Sequence, residues 1–119
     1  MSIRILDEKA LFFLKLSIML SNAVPLLKAL EHLEQESYSD ALKGAARGIR
    51  ERFEAMPVDT RPGLMRAGTL AKLMGEYPQV FDEATIELVR SGEQTGNLDL
   101  VSRIIPEHLL FARLGDWKR

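Results

Sequence analysis

Few residues in this chain are suited to chemistry. Glu93 stands in the run Ser91-Gly92-Glu93-Gln94-Thr95-Gly96-Asn97-Leu98, a single acid set between two glycines and followed by a cap residue. In such a run Gly96 suits the left-handed position that ends a helix, and Asn97 suits the cap of the next. Asp99 then falls in a first turn, where the helix dipole favours negative charge. A carboxylate held in that corner can accept from free backbone N–H groups, pair with a basic side chain, or bind a cation. Glu93 with Asp99 or Gln94 supplies too few oxygens to close a hard-cation site, so the structural uses are preferred and no metal is assigned.

His32 and His108 lie on different predicted helices, and neither has a histidine or an acid at metal-ligand spacing. They are read as ordinary surface or edge residues. No cysteine is present, which excludes a disulfide framework, a thiolate site and a cysteine nucleophile together. There is no glycine-rich phosphate loop, dinucleotide fingerprint or nucleophile elbow, and Glu31, Glu34 and Glu36 read as a solvated helical face. The expectation is a protein that is not an enzyme and uses no cofactor.

Sixteen Lys and Arg against seventeen Asp and Glu give a net charge of -1, with both signs mixed along the chain. That balance does not favour polyanions. A helix-turn-helix around residues 82–111 would show Asp99, Arg103 and Glu107 to the phosphates, a nearly neutral face without the side chains that read bases, so no nucleic-acid partner is expected. The longest uncharged stretch, residues 16–27, is interrupted by Pro25 and is shorter than the ~20 apolar residues of a spanning helix. The start of the chain lacks the pattern of a secretory signal.

The elements that must position these residues are helical. Leu11, Phe12, Leu16, Met19 and Leu20 recur at three- and four-residue spacing over residues 7–21, with Asp7 available as a cap. Pro25 suits the start of a second helix, whose face is Leu26, Leu27, Leu30 and Leu33 and which runs to about residue 36. Ser39 or Asp40 can cap a third, with Leu42, Ala45, Ala46, Ile49 and Phe53 inward. On it, Gly44 and Gly48 imply close helix approach or simple tolerance. Residues 56–68 hold Pro57, Pro62 and Gly63 and read as a loop.

Thr69 can cap a short fourth helix through Leu70, Leu73 and Met74. Asp82 opens a fifth with Ile86 and Val89 inward, and Asn97 caps a sixth with Leu98, Val101, Ile104 and Ile105 inward and a kink at Pro106. No run alternates with period two. The fold class is therefore all-α, a compact bundle of six short antiparallel helices in one domain over 1–119.

Three blocks in order resemble the F domain of type II secretion platform proteins and their type IV pilus counterparts. The first is Phe12 to Leu33, with its small-residue turn and Val24-Pro25. The second is Gly68-Thr69-Leu70 with Tyr77-Pro78-Gln79-Val80-Phe81. The third is Val89 to Leu98, carrying Gly92, Glu93, Gly96 and Asn97. Two departures stand out. Ala23 replaces the usual glycine, which implies a turn made without positive φ, and the segment before Gly68 is an insertion, which points to a divergent branch such as a pilus system.

The resemblance implies the first cytoplasmic domain of a polytopic inner-membrane protein, with Leu114, Trp117, Lys118 and Arg119 leading toward the membrane edge. It implies a homodimer and contact with a cytoplasmic secretion or pilus ATPase and other inner-membrane assembly proteins. Pilin or pseudopilin subunits would be reached through the full-length protein. The alternative is a stand-alone helical regulator that binds protein or nucleic acid, favoured by a reading frame ending at Arg119.

Overall fold

The computed structural model describes residues 2–37, 39–57 and 68–117, with side chains for 8–37, 39–57 and 68–109. Every regular element among them is an α-helix: α1 (Ser2–Ser21), α2 (Leu26–Glu36), α3 (Asp40–Glu54), α4 (Thr69–Met74), α5 (Glu83–Thr95) and α6 (Leu98–Trp117). α1 packs most extensively on α6, α2 on α3, and α5 bridges α6 and α4. The all-α fold expected of the sequence is the fold observed. Most of the loop over 56–68 lies outside the described residues.

Helical spacing explains α3 directly. Leu42, Ala45, Ala46, Ile49 and Phe53 are all buried, and Ser39 Oγ caps the start by accepting from Leu42 N–H at 3.2 Å. Ser39 in turn donates its own N–H to Glu8 Oε1 at 2.6 Å, which ties this start to α1. The two glycines of α3 differ. A Cβ on Gly48 would run into the Tyr77 hydroxyl, whereas one on Gly44 would meet nothing within 4 Å. Close approach thus accounts for Gly48 and simple tolerance for Gly44.

Phe12 and Phe13 of α1 meet Phe81 at ring-centroid distances of 6.1 and 6.0 Å, tilted and edge-on, and all three are buried. This aromatic group joins the first helix to the chain just before α5. Each such ring contributes about 1.5–3 kcal/mol through removal from water.

Several local expectations change. α1 begins at Ser2, so Asp7 lies inside the helix and not at its cap. Nothing between Ser2 and Leu6 is glycine or proline, and the helix propagates through them. Ala23 does adopt positive φ, +63°, contrary to the turn expected from the missing glycine. Its N–H donates to the Leu20 carbonyl (3.1 Å) and that of Val24 to the Met19 carbonyl (2.9 Å), the paired bonds of a left-handed helix end. The bond pattern demands that geometry whatever the side chain.

Glu34 is largely covered, not solvated. Its oxygens take Arg47 Nε at 2.7 Å and an Arg50 nitrogen at 2.9 Å, joining α2 to α3. The hydrogen bond from Arg47, followed by Arg50, holds its carboxyl below the usual carboxylate range despite some desolvation.

Ile104 faces outward with 48% of its surface open. The buried seam of α6 follows Leu98, Ile105 and Leu109, and a helix carries Ile104 about 100° away from Ile105. α6 continues through Pro106 to Trp117 as one helix. Among the described residues, no helix is long and apolar enough to cross a membrane.

Candidate functional site: a buried carboxylate joining two helices

α4 starts without a capping side chain of its own. Gly68 occupies the cap position with φ +80°, and Thr69, expected there, is instead the first helical residue. The N–H groups of the second and third helical residues, which a cap normally serves, belong to Leu70 and Ala71. They donate to Glu93 of α5: Leu70 N–H to Oε2 and Ala71 N–H to Oε1, each at 2.8 Å. A carboxylate 23 residues along the chain from Leu70 thus does the work of an N-cap. It is 3% exposed, so both bonds are made away from water.

Burial pushes the Glu93 carboxyl above the ordinary glutamate value, opposed by the amides of Ala71 and Leu70 and by the positive charge of Arg90. Arg90 also closes over the junction, since a Cβ on Gly68 would lie 3.4 Å from its Cγ. A Cβ there would be in ordinary contact with Arg90, so it is the left-handed backbone, not space, that calls for glycine at this position.

The rest of the corner brings α5 against α6. A Cβ on Gly92 would lie 3.1 Å from the Leu98 Cα and from the Val101 Cβ, so the missing side chain permits the crossing. Gly96 has φ +75°, its N–H reaches the Glu93 carbonyl at 3.4 Å, and Asn97 N–H reaches the Gly92 carbonyl at 2.8 Å. Asn97 precedes α6, and its carbonyl accepts from Val101 N–H. Its side-chain amide donates to Thr95 Oγ1 at 3.4 Å and does not cap the helix. Asp99 sits half-buried in the first turn of α6.

Gly68, Gly92, Glu93, Gly96 and Asn97 are therefore brought together at the junctions of α4, α5 and α6. The other motif residues serve separate turns. Val24 packs against the core and Pro25 precedes α2, accepting from Ala29 N–H. Pro78 is exposed within a turn that directs Phe81 inward, where Val80 and Phe81 N–H share the Tyr77 carbonyl.

One approach, that of His108 to Asp82, escaped the sequence reading. Asp82 caps α5 through Oδ1, accepting from Thr85 N–H at 2.9 Å, while its Oδ2 lies 3.9 Å from His108 Nε2, an ion-pair distance too long for a hydrogen bond. A separation of 26 positions along the chain hides that approach from any local spacing rule. Among the described residues, no three His, Asp or Glu side chains converge in a metal-holding group.

This arrangement defines an all-helical domain in which the buried Glu93 side chain of α5 holds the backbone of α4. A model of the type II secretion system protein F family matches residues 12–114, and the chain belongs to that family. It is similar to the "Type II secretion system protein F" of Vibrio cholerae serotype O1, with 29% identity over 94 residues. That match covers 79% of this chain and 20% of the relative, so the chain spans about one fifth of the relative's length.

Proposed function

We propose that the chain is a non-catalytic scaffold domain of an inner-membrane platform protein for type II secretion or type IV pilus assembly. The family match over residues 12–114 carries this reading. The commitment of Glu93 to two backbone amides supports it, because the best-placed carboxylate is spent on holding helices together. The domain lies at the cytoplasmic face of the bacterial inner membrane as part of an integral membrane protein. It couples a cytoplasmic ATPase and neighbouring assembly proteins to pilin or pseudopilin assembly, and it self-associates as a homodimer. The secretion name shared by the family and the Vibrio relative favours the secretion machine of the two.

The test is binding of the purified domain to the assembly ATPase of the same organism, measured by biolayer interferometry together with ATP turnover by each partner. The reading expects saturable binding and no turnover by the domain alone. Hydrolysis by the domain itself, or failure to bind any cytoplasmic assembly protein of the machine, contradicts it.

A further inference from the structure

A shallow notch opens where the end of α2 meets α1, about 230 Å³ in volume and open to solvent. Phe12 and Leu33, both buried, line it together with Leu11, while Glu8, Lys15, Glu36 and Ser37 supply its polar part. Two acids thus stand against one base. Lys15 Nζ pairs with Glu36 at 2.9 Å, and both side chains stay partly open to water. Glu8 Oε1 accepts the Ser39 N–H at 2.6 Å, which holds that carboxylate at the notch.

The surroundings add charge and apolar surface. α2 ends at Glu36 with no basic residue in its last turn, so the end of its dipole, about half a negative charge, adds to the two carboxylates. Leu11, Leu14 and Ile18, at i, i+3 and i+7, form an exposed aliphatic row on α1 that starts at the notch, Leu11 belonging to both. Exposed aliphatics are common singly, but a row continuous with a charged notch joins an apolar contact to a polar one.

We propose that the notch and the row together hold an amphipathic segment of another protein, with one arginine or lysine side chain in the notch and aliphatic side chains along Leu11, Leu14 and Ile18. The charged head sits against Glu8 and Glu36 while its aliphatic stem covers Leu11. From Leu11 to Ile18 the row spans about 10 Å of helix, the length over which two turns of a partner helix present side chains. The assignment deepens the scaffold reading by naming the chemistry of what the domain grips.

Other occupants fit less well. An acidic segment or an anionic lipid surface would meet Glu8 and Glu36. A second copy crossing about a two-fold axis here would bring the same two acids toward their own counterparts.

NMR titration of the nitrogen-labelled chain tests the assignment, using a capped arginine peptide with leucines one and two turns further on, and the same peptide with glutamine in place of arginine. Amide signals should move at residues 33–37 and along residues 11–18, and the arginine peptide should bind at least about three-fold tighter, the size of an ion pair that stays partly solvated. E36K should abolish that preference, and L14S should weaken both peptides about equally. E51K changes an exposed acid about 18 Å along α3 from Ser39 and should leave the preference intact. Leu14, Glu36 and Glu51 are all exposed, so the three variants should fold, which circular dichroism verifies.

Absence of binding by either peptide, equal affinity for the two, or a preference that survives E36K overturns the assignment, as does a preference lost equally in E51K. Dissociation of a dimer by the arginine peptide, read by sedimentation velocity, gives the notch to a second copy and also overturns it. The ATPase measurement tests the scaffold reading separately: a chain that prefers the arginine peptide yet binds no assembly protein keeps the notch and loses the scaffold.

Discussion

The carboxylate of Glu93, on α5, accepts the backbone N–H of Leu70, in the first turn of α4, at 2.8 Å. With the matching bond from Ala71, it makes α4 dependent on a side chain from another helix for its start. A helix of six residues has too few internal bonds to hold itself together, so its existence rests on such tertiary support.

Removing the carboxylate in E93A strands two buried N–H groups, each costing about 1–3 kcal/mol, and the variant should lose about 3 kcal/mol in urea denaturation. E93Q keeps the shape but offers only one acceptor oxygen, and should lose about 1 kcal/mol. An E93A variant within 0.5 kcal/mol of wild type, roughly the size of ordinary surface effects, contradicts this role.

The two perturbed glutamates should give opposite pH trends. The carboxyl of Glu93 is raised above 4.5, so the folded state holds its proton more tightly than the unfolded chain. Its contribution is full below the unfolded value and is lost as pH rises through the folded one. Wild-type stability relative to E93Q should therefore decline with rising pH across that window and then level off. Glu34 is lowered from 4.5 by Arg47 and Arg50, so wild type relative to E34Q should lose stability as pH falls through its folded value. Parallel slopes in urea titrations from pH 3 to 7 would refute the assignment.

Two corners share one geometry but not one residue. Ala23 and Gly96 both have positive φ, at +63° and +75°. A left-handed residue with a Cβ is penalised by about 1–2 kcal/mol, part of it offset by the unfolded-state entropy of glycine. A23G should thus stabilise by about 1 kcal/mol and G96A destabilise by about as much, as read from melting temperatures. The space beside Gly96 is open, so this second effect is purely conformational. Destabilisation by A23G would show that Ala23 is not held in that conformation.

Glycines inside helices separate by surroundings. G92A pushes a methyl against the Leu98 backbone and Val101 and should cost about 1–3 kcal/mol. G44A enters open space on an exposed helical face and should gain about 0.5–1 kcal/mol. Equal effects in calorimetry would contradict the close crossing of α5 and α6.

Most of the fold was legible because helical periodicity is local. The five inward residues of α3 and the caps Ser39 and Asp82 follow from spacing and residue type. The corner around Glu93 was visible as an acid among glycines, and bonding to free backbone N–H groups was among its open uses. Its partners were not visible, because Leu70 and Ala71 contribute only amides, which every residue but proline possesses. Residue type also hid Ala23, whose conformation comes from the bonds of Val24 and Ala23 to α1. Ile104 was misplaced because two adjacent isoleucines satisfy the same apolar pattern, and only packing against α1 and α5 decides which turns inward.

Amide hydrogen exchange at Leu70 and Ala71 tests the central claim most directly. The first amides of a helix normally exchange quickly, having no acceptor within it. Bonded to a buried Glu93 carboxylate, both should be strongly protected in wild type and lose that protection in E93A, while the amides of α2 and α3 keep theirs. Rapid exchange at both positions in wild type, or protection unchanged in E93A, would show that Glu93 does not hold α4 in place.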